Sequence, residues 1–150
     1  MNWSQHLPAL VVAFPLLGAF ATPLFSLGGK FLRNLLFVAV SLVTLIIAFL
    51  LWRNVLLHGT ILYVMGGESI SLTLPSGFAF PVRIMFEIDA LSAFMGLTVA
   101  IASFAGALFS LQYMNGFSGL HRFVSLYFLL TVGALGMSLT GDMFNFFVFI

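Results

Sequence analysis

Uncharged apolar runs alternate with short polar breaks along this chain, and the runs are too long for ordinary core helices. Leu7–Leu27 is the first, with Pro8, Pro15 and Pro23 within it. Gly28-Gly29 ends it, and Lys30 and Arg33 follow. A second run lies between Arg33 and Arg53, a third covers Ala90–Leu111, and a fourth covers Phe123–Leu139. At 1.5 Å of rise per residue, the third is roughly 33 Å long, close to the hydrocarbon thickness of a bilayer. Gly141-Asp142 makes a corner, and Met143–Ile150 begins a fifth apolar segment. The pattern predicts an all-α membrane protein with four transmembrane helices and the start of a fifth.

Local signals refine these elements. Pro15 removes a hydrogen bond from the first helix and should bend it, which neighbouring helices in a membrane can accommodate. Trp52 beside Arg53 reads as an interfacial anchor, and the second helix reads as a lipid-facing packing helix. Asp89 sits where an N-cap belongs. In the third run small residues recur as Ser92-Gly96-Ala100 and as Ala102-Gly106-Ser110, which predicts close helix contacts on two sides and a central position. Gly133, Ala134, Gly136 and Ser138 thin the fourth run in the same way.

Arg53–Ile88 is the one long connection. Thr60–Val64 reads as a strand, Ser69–Leu74 alternates with period two, and Gly66-Gly67 between them supplies a turn. A β-hairpin at about 59–82 is therefore expected, extracytoplasmic, between helices 2 and 3. Phe78–Phe86 returns as an extended segment interrupted by Pro81.

Composition excludes more than it assigns. The chain is 62% hydrophobic and 6% charged, against about 25% charged in soluble domains. A formal charge of +1 offers nothing to nucleic acid. Without cysteine there is no disulfide or thiolate site, and His6, His58 and His121 have no ligand spacing. No catalytic, cofactor-binding or metal residue is assigned. A lipid-modifying enzyme would need a polar catalytic cluster, and none is present in the pattern. Glu87, Asp89 and Asp142 fall at segment ends, where the two aspartates read as caps. Asn145 is the deepest strongly polar side chain; an interhelical hydrogen bond is its favoured role, and steering a water chain is the other. Serines and threonines within the spans should bond back to their own helix.

Charge placement sets the orientation. Lys30, Arg33 and Arg122 share one side without acids, whereas Arg53 and Arg83 are accompanied by Glu68, Glu87, Asp89 and Asp142. The basic excess puts the Lys30 and Arg122 loops in the cytoplasm, and the N-terminus and hairpin outside. Met1–His6 lacks the basic leader of a cleavable signal.

Leu139-Thr140-Gly141-Asp142-Met143-Phe144-Asn145-Phe146-Phe147-Val148-Phe149-Ile150 resembles the T-G-D-L-F-N-x-F-V-F pattern of antiporter-like membrane subunits. These occur in Mrp-type cation/proton antiporters, in membrane-bound hydrogenases and, more distantly, in respiratory complex I. Asp89-Ala90-Leu91-Ser92 is similar to the start of that family's third helix, and Pro15–Ala19 to part of its first. The Thr-Gly-Asp start favours the antiporter and hydrogenase branches. The resemblance covers the front third of a usual member. It implies that residues 1–120 are supporting helices with the hairpin, and that residues 121–150 open the first inverted repeat. The family's functional glutamate would come directly after Ile150 and its lysines later still, so no functional residue carries over.

The expected function is thus the N-terminal part of an ion-translocating subunit in a multisubunit complex of the cell membrane. Its expected partners are other membrane subunits, the lipid bilayer and a segment completing helix 5. The alternative is a small accessory subunit that moves no ion. Met143–Ile150 would make only about 12 Å of helix against the roughly 20 residues needed to span, so the product is expected to continue or to be completed by a partner.

Overall fold

The computed structural model describes residues 6–64, 72–73, 79–80, 85–114 and 119–150. Helices α1 (Leu7–Leu27), α2 (Lys30–His58), α3 (Ala90–Tyr113) and α4 (Leu120–Leu139) run up and down in turn, and a short α5 (Met143–Phe149) follows. All four long helices are long and apolar enough to cross a membrane. Each packs on the next, and α4 closes the ring on α1. Outward faces carry large apolar side chains such as Phe20, Ile46, Phe94 and Leu130. So much exposed apolar surface fits lipid rather than water as the surroundings. The chain is a multi-pass membrane protein.

Small residues and prolines set how closely the helices meet. A Cβ on Gly18 of α1 would stand 2.7 Å from Val40 of α2 and 3.3 Å from Phe128 of α4, so three helices converge there. Helix α1 continues through Pro15 and Pro23. Pro23 has no N–H for the carbonyl of Ala19, four residues back. Ser125 of α4 fills that gap, donating to the Ala19 oxygen at 3.1 Å. Ser41 and Thr44 of α2, both buried, donate to the carbonyls of Phe37 and Val40 at 2.8 Å, as expected for hydroxyls in an apolar span.

Two sequence expectations are corrected. The connection does form antiparallel β-structure, but β1 (Ile61–Val64) pairs with β4 (Met85–Ile88), in register Ile61↔Ile88 to Val64↔Met85. Inside it β2 (Leu72–Thr73) pairs with β3 (Ala79–Phe80). Leu72-Thr73, within the period-two stretch, therefore pairs forward with Ala79-Phe80 rather than back with β1; the rest of that stretch and the proposed Gly66-Gly67 turn lie outside the described residues. β4 wins as the partner of β1 because Phe86 and Ile88 are both buried, anchoring it to the bundle.

Helix α3 is the second correction. It is the least enclosed of the four spans. Both glycines of its small-residue rows face α4: a Cβ on Gly96 would meet Leu139 at 3.4 Å, and Gly106 lies against the Tyr127 hydroxyl. Ala102, at the head of the second row, is exposed. The glycines of both rows thus meet α4, while α3 packs on α2 as well, so the predicted contacts on two sides are present and what is corrected is the assignment of one row to each side. The second helix agrees better with expectation: it packs on α1 and α3, and Leu35, Leu42, Ile46 and Phe49 face outward.

Candidate functional site

The residues singled out in the sequence converge where α4 turns into α5, against β4. Thr140 forms an isolated antiparallel bridge with Phe86, and the Gly141 N–H donates to the Met85 carbonyl at 3.4 Å. The corner thus lies along the edge of β4 that β1 leaves open. Gly141 is required there, since a Cβ would stand 2.5 Å from that of Glu87 and 3.1 Å from its carboxylate. The Asp142 carboxylate accepts from the Phe144 N–H at 3.2 Å, which caps α5, and Thr140 Oγ1 accepts from the Asp142 N–H at 3.4 Å. Asp89 caps α3 in the same way, accepting from the Ser92 N–H at 2.7 Å. That hydrogen bond holds the Asp89 carboxyl below its ordinary pKa. Both aspartates are caps, as their positions imply.

Past the corner, α5 lies on the thinned face of α4. The Phe149 ring covers Gly136, and its carbonyl oxygen is 2.9 Å from where a Gly133 Cβ would be. Phe86 of β4 lies beside Phe149, ring centroids 6.3 Å apart. Asn145 is 2% exposed. Its side-chain Nδ2 finds no acceptor among the described residues, so the interhelical hydrogen bond favoured for it is not made by this donor.

A second polar group lies midway along α3 and α4. Ser103 Oγ and Thr131 Oγ1 are 2.9 Å apart, and Tyr127 Oη donates to the Ser103 carbonyl at 2.7 Å. Thr131 also donates back to the Tyr127 carbonyl at 2.9 Å. Sequence reasoning sent the hydroxyls to their own helices and overlooked this cross-helix link. The available signal was Tyr127, a phenol in the middle of an apolar span that needs a partner when half-buried.

The histidines are dispersed. His6 Nδ1 lies 3.3 Å from Tyr63 Oη, tying the start of α1 to β1. His58 contacts the Asn54 carbonyl, and His121 lies in the first turn of α4 at the opposite end. The buried polar residues among those described are Thr22, Ser41, Thr44, Thr131 and Asn145. They can exchange hydrogen bonds but none titrates near neutrality.

Residues 75–124 match the model of the NADH-ubiquinone oxidoreductase (complex I) chain 5 N-terminus. No curated protein matches the chain. Among solved structures, a chain of the membrane-bound sulfane sulfur reductase, an archaeal respiratory membrane complex, is similar over 96% of this chain at 32% identity and a TM-score of 0.80. This chain spans 28% of that one's length. With the capped corner on β4 and the four-helix ring, these likenesses agree on one assignment: the chain belongs to the antiporter-like membrane subunits, as their N-terminal part.

Proposed function

We propose that the chain is the N-terminal part of an ion-translocating subunit in a multisubunit respiratory membrane complex. Helices α1–α3 and the β-ribbon act as support, and α4 with α5 opens the first translocating repeat, close to residue 121. The observation that carries this reading is the similarity to a respiratory-complex chain over nearly the whole fold at 32% identity. The supporting role of the first helices rests on their chemistry. Their buried polar side chains are hydroxyls bonded to backbone, without a group that could hold a proton or cation in transit. Ion-carrying residues at bilayer depth are ionisable as a rule.

Purifying the native complex through a tag on this subunit, and identifying what accompanies it, tests the assignment. Other membrane subunits of a respiratory complex should co-purify; recovery without any would count against it. Residues 1–150 reconstituted alone should give no proton or sodium flux above empty vesicles. Robust flux would defeat the supporting assignment.

The proposed orientation has Lys30, Arg33 and Arg122 in the cytoplasm. Thr60→Cys, exposed at the ribbon end, should react with an impermeant thiol reagent in intact cells, and Lys30→Cys should not. The reverse pattern would invert the topology.

A further inference from the structure

We infer that Asn145 holds one internal water molecule at the α4–α5 corner, bridging its side-chain amide to the free carbonyls at the end of α4. Two unmet requirements lie on adjoining elements, α5 and the end of α4 on which it packs. Asn145 is 2% exposed, and its Nδ2 is sealed from the surface with no acceptor among the described residues. A buried donor left in that condition is destabilising, so native proteins supply a partner. On the acceptor side, the last carbonyls of an α-helix lack intrahelical donors. In α4 the chain turns away just after Leu139, and the amides that would continue the ladder go elsewhere. Gly141 N–H donates to Met85, and Asp142 N–H to Thr140 Oγ1. The carbonyls of Met137 and Ser138 therefore lose the donors that a longer helix would bring.

A water molecule fits this imbalance in sign. It accepts from Nδ2 and donates to a carbonyl, whereas a second donor group would leave the carbonyls served and the amide still unpaired. Internal waters are enclosed as helices pack, so a water reaches such a site without an open path from the surface. The site explains why an asparagine occupies the buried position of a short, otherwise apolar helix, where leucine would otherwise pack better. It does not depend on whether the complex moves ions.

A cryo-electron microscopy map of the native complex in lipid nanodiscs, sharp enough to show ordered water, tests this. It should contain a peak about 2.7–3.2 Å from Asn145 Nδ2 and within the same reach of an α4 carbonyl. Synchrotron hydroxyl-radical labelling of the same complex adds a second measurement, since radicals formed from a held water modify adjacent rings. Phe149 should label despite its packing, and Asn145→Leu should lower that labelling several-fold while distant sites stay unchanged. A protein atom of any subunit paired with Nδ2 would overturn the inference. So would a map without the peak, or labelling of Phe149 that Asn145→Leu leaves unchanged. If the leucine variant does not assemble, the wild-type map decides.

Discussion

At the ribbon end of the bundle, aspartates cap α3 and α5, β1 pairs with β4, and the Thr140-Gly141 corner lies along the free edge of β4. At the opposite end, Gly29 and Gly119 start α2 and α4 without any side-chain cap, at φ of 108° and 81°. Lys30, Arg33 and Arg122 occupy the first turns of those helices. The contrast is electrostatic as well as geometric. Acids at a helix N-terminus meet its positive end favourably, whereas cations there are opposed by it. The basic residues therefore do not serve their helices. Their position fits the proposed cytoplasmic side, where anionic lipid and the positive-inside bias favour them. One end is shaped for internal order, and the other for its surroundings.

The comparison breaks most readily at the α4–α5 contact. Gly136→Val should be the most damaging single change, because a branched side chain would occupy the space of the Phe149 ring. Overpacking of this kind costs about 1–3 kcal/mol and can exceed it when a helix face must move. A clear loss of assembled complex on native gels is expected. At the other end, Gly119→Ala meets open space and suffers only from its positive φ, so its loss should be smaller. Equal losses from the two variants would erase the distinction between the ends.

The corner offers a sharper test through compensation. Gly141→Ala should destabilise, since its Cβ would meet the Cβ and carboxylate of Glu87. Glu87→Gly removes both obstacles. The double variant should recover part of the loss, with a coupling of roughly 0.5–3 kcal/mol in a double-mutant cycle on the unfolding of the complex. Strict additivity would mean that the corner and β4 do not press on one another.

How much of this was legible in the chain follows from the range of each interaction. The spans, the caps at Asp89 and Asp142, and the close contact at Gly133–Gly136 depend on neighbours within a turn or two, and each is present as read. Strand pairing depends on which segment reaches the bundle surface. The alternation at Ser69–Leu74 therefore signalled a strand but not its partner, and the buried pair Phe86 and Ile88 decided the register. The rows on α3 showed where helices approach, yet the glycines of both rows meet α4, and α2 packs against the same helix. Asn145 was recognised as the deepest polar group. Its unpaired amide was not legible, because that depends on which backbone groups the corner leaves within reach.

The smallest expected effect is a pH dependence at the cap of α3. The Ser92 N–H favours the ionised Asp89 carboxylate, so the folded pKa lies below the unfolded value, near 3.8. A depressed folded pKa gives stability that is present above the unfolded pKa and lost as pH falls through the folded one. Above about pH 5 the cap should be fully effective, and below about pH 4 it should weaken progressively. Asp89→Asn separates charge from geometry, because the amide oxygen can still accept from Ser92 but does not titrate. Hydrogen exchange of the first turn of α3, measured in the complex and expressed as the ratio of wild type to Asp89→Asn, cancels the intrinsic effect of pH on exchange. Protection in the wild type should exceed that of the variant at pH 6 and converge on it as the carboxylate is neutralised. A ratio that stays flat down to pH 3 would show that the cap acts through its shape alone, leaving charge as a distinguishing feature of the basic end only.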